Sequence, residues 1–155
     1  MLPAEPLPLP PGHSKEQRVA EGVMLKLLSA RLGVKLQPRA IRLPSGVRLV
    51  VDGACDDPPI LCEAWAHQGE AKSAQRDKVA KDILKLLILK EAAREAGDPM
   101  PRLILLFGNA AAARVCSGRS WRAEAVRQFG IDVEVVELPD ETRLAVMQAQ
   151  VRQFR

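Results

Sequence analysis

The sequence predicts an α/β protein in which helices cover both faces of a mixed β-sheet, and three observations indicate this. Two apolar runs, residues 47–52 and 60–66, are separated by turn-forming residues and lead into a long segment of helical periodicity. Residues 102–107, RLILLF, form a continuous apolar run, which is typical of a strand buried on both faces. A helix and a further strand follow, and such a unit joins parallel strands by a right-handed crossover. The expected architecture therefore has three layers.

Composition fits one ordinary globular domain. The chain has 155 residues, of which 47% are hydrophobic and 27% are charged. The net charge of +4 is compatible with binding to nucleic acid. Only 3% of residues are aromatic and none is Tyr, which argues against recognition of single strands by base stacking. The three cysteines have no CxxC spacing, which argues against a zinc site, so we expect buried thiols in a cytoplasmic protein.

The N-terminal third predicts a tail, a helix and a first strand. Proline-rich residues 1–13 predict a disordered tail, so the single domain is expected to comprise residues 14–155. Ser14 and Gln17 have the spacing of a capping box, and the helix is expected to end before Gly33. A strand within residues 35–43 follows, with an interruption near Pro38.

The next two strands carry one acid each. Residues 47–52 form a strand that ends at Asp52, and residues 53–59 are expected to form a loop. In the strand of residues 60–66, Glu63 shares a face with Leu61 and Trp65. An acid between two large apolar residues is costly unless it has a partner, so Glu63 is expected to have a function. Antiparallel neighbours can bring Asp52 and Glu63 to the same end of the sheet. Such oxygen ligands suit Mg²⁺ or Mn²⁺.

The remaining elements are two long helices and two strands with a broken helix between them. The helix of residues 72–96 is expected to bury a stripe at helical spacing and to keep Lys81 and Lys85 on a solvated side. An alanine-rich helix follows residue 109, breaks near residue 117 and resumes after Ser120. A strand at residues 132–138 precedes the last helix, residues 140–154. That helix is expected to bury Leu144, Met147, Val151 and Phe154.

A carboxylate at a strand end, a turn and an acid within the next apolar strand resemble the PD-(D/E)XK, or restriction-endonuclease-like, nuclease superfamily. Asp52 matches the first acid of that motif and Glu63 matches its second. The resemblance implies an αβββαβ core, here with a terminal β–α extension. It also implies Mg²⁺-dependent cleavage of a nucleic acid, and we expect DNA ahead of RNA.

The chain departs from this motif at its lysine. Trp65 stands two residues after Glu63, where the family has the lysine. Some members carry it on the following helix, and the resemblance makes Lys72 and Lys78, with Gln75 between them, the candidates here. Many members also have an acid on the first helix. The two acids of this kind in the chain are Glu16 and Glu21.

Two functions follow as expectations. The first is a metal-dependent nuclease, with Arg114, Arg119 and Arg122 either contacting the phosphate backbone or serving only as surface charge. The second is a catalytically inactive relative that binds nucleic acid or a protein partner, since Trp65 replaces the lysine. A membrane partner is not expected because no apolar run approaches about 20 residues. Assembly into a homodimer is left open.

Overall fold

The computed structural model describes residues 14–153, so the predicted tail of residues 1–13 and the predicted burial of Phe154 lie outside the described residues. One sheet contains five strands in the order of the sequence. They are β1 (Gln37–Arg42), β2 (Arg48–Asp56), β3 (Pro59–Trp65), β4 (Arg102–Phe107) and β5 (Asp132–Val135). The helices are α1 (Lys15–Leu32), α2 (Ser73–Ala96), α3 (Ala110–Ala113), α4 (Trp121–Gln128) and α5 (Asp140–Gln153), with a 3-10 turn at Arg114–Cys116.

The α/β class and the mixed character of the sheet are confirmed. The first three strands pair antiparallel, and β3, β4 and β5 are parallel. Alternate residues of β4 enter two separate hydrophobic clusters. Leu103 and Leu105 pack with residues of α2 and α4, whereas Ile104 and Leu106 pack with residues of α1 and α5. Helices therefore lie on both faces of β4. No helix within residues 14–153 is long and apolar enough to cross a membrane.

Helix ends follow the predicted signals more closely than helix faces do. Ser14 and Gln17 form the predicted capping box, and Gly33 ends α1 in the left-handed conformation at φ 68°. The predicted buried face of α5 is wrong, because the following residues are 53%, 46% and 60% exposed: Leu144, Met147 and Val151. Gln150 fixes the rotation of α5 by bonding both the N–H and the C=O of Gln68, at 2.8 and 3.1 Å.

Strand β2 is longer than the sequence predicts. Asp52 lies within it and not at its end, and residues 53–56 continue the strand where a loop was expected. Only Asp57 and Pro58 remain for the turn to β3. Burial of Gly53 and Ala54 keeps this stretch in the sheet despite its weak strand propensity. Pro38 does not interrupt β1, since it lies on an edge strand beside an irregularity in the pairing.

That irregularity is a β-bulge beside Asp52. Gln37 pairs with Ala54 and Arg39 pairs with Val51, so two steps along β1 correspond to three along β2. A bulge of this kind turns side chains away from strict alternation. As a result, Val51 and Ala54 both enter the hydrophobic cluster on the α2 face.

The sheet divides at the bulge, and we call this place the sheet fork. Pairing of β2 with β3 extends from the turn as far as Gly53 and Cys62. Beyond the fork β2 pairs with β1 and β3 pairs with β4. A Cβ atom on Gly53 would lie 2.8 Å from Leu25 Cδ2, so the glycine allows α1 to pack closely against the fork.

Candidate functional site

Asp52 and Glu63 lie next to the last pair of the fork, on adjacent strands as predicted. Asp52 Oδ2 accepts a hydrogen bond from the backbone N–H of Ala64 at 2.9 Å. The carboxylate therefore accepts from an N–H of β3 at a point where the backbone pairing of β2 with β3 has already ended. Glu63 is only 4% exposed and shares its face of β3 with residues that pack against α2. The fork thus places two acids side by side, one of them fully buried.

Lys85 is the cation that contacts Glu63. Its Nζ donates to Glu63 Oε1 at 2.8 Å and to the backbone C=O of Val50 at 3.0 Å. Val50 belongs to the β2 branch and Glu63 to the β3 branch, so Lys85 joins the two sides of the fork. The prediction of a solvated Lys85 is wrong, since its side chain is 25% exposed.

Three further charged residues surround this pair. Lys85 Nζ lies 3.9 Å from Asp82 Oδ1, one turn away on α2. Lys78 is half-buried, and the charges of Glu21, Asp82 and Asp52 all act on its pKa. Of the two predicted lysines, Lys78 is therefore the one close to the acids of the fork, and Glu21 of α1 is close enough for its charge to act on Lys78.

Burial dominates the titration of these groups. It raises the pKa of Glu63 to about 10, with additional contributions from Asp52 and Asp82 that Lys85 only partly offsets. It also raises the pKa of Asp82 to about 6. Burial opposes the charge of Lys85, but the Glu63 carboxyl outweighs it and raises the pKa of Lys85. At neutral pH the Glu63 carboxyl therefore keeps its proton, and its side chain hydrogen-bonds that of Asp52.

Lys72 and Gln75 lie at a different place, the N-terminus of α2. Gln75 Oε1 accepts the backbone N–H of Lys72 at 2.7 Å, and its Nε2 lies 3.1 Å from His67 Nδ1. His67 Nε2 lies 3.2 Å from the C=O of Glu70, and its ring stacks on Trp65 with centroids 5.1 Å apart. Because Gln75 donates to Nδ1, the proton of the neutral ring is on Nε2.

Two other residues singled out from the sequence have structural partners elsewhere. Glu16 accepts a hydrogen bond from Arg152 of α5, which joins the first and last helices. Trp65 is 6% exposed and meets Phe107 edge to face at 5.7 Å, so it belongs to the core. Neither residue contributes to the cluster at the fork.

The His67 network predicts a dependence of stability on pH. Burial lowers the pKa of His67 below its usual value of about 6.5, with a smaller contribution from the charge of Lys72. The unfolded chain then binds the proton first, so the contribution of His67 to the free energy of unfolding should be constant above about pH 7 and fall as the pH drops below about 6.5. Denaturant unfolding of the native protein and of His67→Gln between pH 7.5 and 5.5 measures this contribution as the difference between the two proteins. The difference should shrink as the pH falls, and a difference that does not change with pH would contradict the assignment.

The candidate ligands at the fork are the carboxylates of Asp52 and Glu63, and carboxylate oxygens are the donors that a hard divalent cation prefers. Among residues 14–153 no group of three or more His, Cys, Asp or Glu side chains could hold a metal ion. An ion at Asp52 and Glu63 would therefore complete its shell with water and substrate oxygens, as Mg²⁺ commonly does. No protein-family model, curated protein or solved structure matches the chain.

The sequence contained a signal for the two missed residues. Asp82 follows Lys78 by four positions and Lys85 follows Asp82 by three, so all three lie on one side of α2. A run of alternating charges beside a buried stripe is compatible with a solvated face. It is equally compatible with long side chains that reach a buried acid on the sheet.

Proposed function

We propose that this protein is a metal-dependent phosphodiesterase, a nuclease similar to the PD-(D/E)XK superfamily. The observation that carries the proposal is the contact of Lys85 with Glu63, beside Asp52 and at the point where the sheet divides. Lys85 supplies a cation from α2 where Trp65 occupies the position of the motif lysine. The order of helix, three strands, helix and strand is compatible with that superfamily's core.

The proposed roles follow from position and charge. Asp52 and Glu63 would hold Mg²⁺ or Mn²⁺, which supplies an activated water and neutralises phosphate oxygens. Lys85, in direct contact with Glu63, would orient the attacking water and stabilise the charge that develops on the phosphate. Burial disfavours the charge of Lys78, and this lysine would contact a phosphate oxygen of the substrate.

The test combines cation binding with cleavage. Mn²⁺ or Mg²⁺ should raise the melting temperature of the protein by mass action, and should not raise that of Asp52→Ala, which lacks one ligand. With the same metals the protein should cleave DNA, and Asp52→Ala should cleave it at least about 10²-fold more slowly. Asp56→Ala is the matched control, because this β2 carboxylate pairs with Arg39 at the surface. Equal responses in the native protein and Asp52→Ala would count against the site.

A catalytically inactive binding module is the second candidate. Trp65 favours it, because β3 itself carries no lysine two residues after Glu63 and Trp65 is part of the core. Such a module would bind nucleic acid or a protein partner without hydrolysis. Binding of DNA or RNA without cleavage in either metal would favour this candidate over the nuclease. DNA is the expected substrate ahead of RNA, and homodimerisation is tested by the mass of the protein in solution.

A further inference from the structure

Two arginines face each other across the outer part of the sheet. Arg42 of β1 pairs directly with Arg48 of β2, near the turn that joins these strands, and both side chains are exposed. Their side chains lie on the face opposite to Ile41 and Leu49, which pack into the core. Like charges directly opposite each other in a sheet destabilise it. We call these two residues the arginine pair.

The arginine pair lacks the carboxylates that accompany other arginines of the chain. Arg39 binds Asp56 through two nitrogens, at 2.7 and 3.2 Å. Arg114 and Arg122, considered from the sequence as phosphate contacts, have acidic partners in Glu70 and Asp77. Within residues 14–153, no ion pair or hydrogen bond joins a side chain to the guanidinium of either member of the arginine pair. Two positive charges thus remain together on an open sheet surface.

The surface that carries this pair is attached to the fork. Ala40 lies on the same face and is exposed, so no helix covers it there. Arg48 precedes Asp52 by four residues along β2, a distance of about 13 Å, or about four base-pair steps of a duplex. Val50 lies midway between Arg48 and Asp52, and its carbonyl oxygen accepts a hydrogen bond from Lys85 Nζ. The hydrogen bond from Lys85 therefore connects β2, the strand that carries Arg48, to the candidate site.

We propose that the arginine pair binds the phosphate backbone of a nucleic acid duplex whose other end reaches the sheet fork. Paired guanidinium groups match phosphate oxygens, and the anion would relieve their mutual repulsion. The low aromatic content of the chain favours the backbone of a duplex over stacked single-strand bases. This inference rests on the proposed function, because the proposed nuclease site is the reason why the duplex should extend from the arginine pair to the fork. It adds a binding surface for the duplex to that function.

The test is the affinity for a labelled 30-base-pair DNA duplex, measured by fluorescence anisotropy in Ca²⁺ over a range of salt concentrations. The Arg42→Gln/Arg48→Gln variant should bind at least about tenfold more weakly, and its slope of log K against log salt should fall by about 2. Its melting temperature should not be lower than that of the native protein, because a repulsion is removed. Single-stranded DNA and duplex RNA of the same sequence identify the preferred form.

The control variant is Arg94→Gln/Arg127→Gln, which removes the same net charge from two exposed arginines that pair within their own helices. It should change the affinity less than about twofold. Equal losses in the two double variants, or no duplex binding by the native protein, would overturn the inference. Hydrolysis of bis(p-nitrophenyl) phosphate with Mn²⁺ separates the two proposals. Duplex binding without hydrolysis would contradict only the proposed nuclease activity. Hydrolysis without duplex binding would contradict only the proposed role of the arginine pair.

Discussion

Lys85→Met is expected to lower the free energy of unfolding by about 3 kcal/mol, because it removes the partner of two acceptors at once. The Lys85 ammonium bonds both the buried Glu63 carboxyl and the backbone C=O of Val50. A methionine fills much of the same volume but donates to neither atom. Urea unfolding at pH 7 measures the loss, and Lys81→Met, at an exposed position of the same helix, is the control.

A double variant separates this pair from a general effect of the helix. In Glu63→Met/Lys85→Met an apolar pair replaces the buried ionisable one, which often restores stability. The double variant should therefore be at least about 1 kcal/mol more stable than the sum of the two single losses predicts. If Lys85→Met unfolds at the same urea concentration as Lys81→Met, then Lys85 contributes no more than a surface lysine.

The same lysine should dominate catalysis if the proposed function holds. We expect Lys85→Met to lower kcat for DNA cleavage about 10³-fold, because it removes the cation beside the two acids. Lys78→Met should lower it about 10- to 10²-fold, since Lys78 would contact a phosphate and not the reacting water. Lys72→Met should change it less than about twofold, because Lys72 lies at the start of α2 beside His67.

Stability and chemistry can be separated in this series. Rates should be measured well below the melting temperature, with circular dichroism showing that each variant is folded. Lys81→Met again serves as the control for loss of a positive charge from α2. The assignment of Lys85 is wrong if Lys78→Met loses more activity than Lys85→Met while both proteins remain folded. It is also wrong if Lys85→Met retains the parental rate.

Local patterns in the sequence predicted the elements whose environment is set by the chain itself. β4 has the predicted bounds, since a continuous apolar run leaves no exposed face along the strand. Of the stripe predicted on α2, Val79, Ile83 and Leu86 are buried, and Leu87 is partly buried. Ser14 caps the start of α1 and Gly33 caps its end, as predicted, because helix capping depends on residues within one turn of each end.

Features that depend on a distant partner were not predictable in this way. The bulge at Asp52 is defined by a count of residues on β1, so the sequence of β2 alone does not reveal it. The contact of Lys85 with Glu63 joins two residues that are 22 positions apart on different elements. The rotation of α5 depends on Gln150 and the main chain of Gln68, which are 82 residues apart. The buried face of α5 was predicted from its large apolar residues, and that prediction was wrong.

The hydrogen bond from the Ala64 N–H to Asp52 makes one backbone amide a spectroscopic reporter of the fork. The chemical shift of an amide proton depends strongly on the charge of its acceptor. The resonance of Ala64 therefore responds to any ion or proton that Asp52 takes up, without a label on the side chain. A single peak in a ¹⁵N spectrum thus reads out the state of a carboxylate that lies within the sheet.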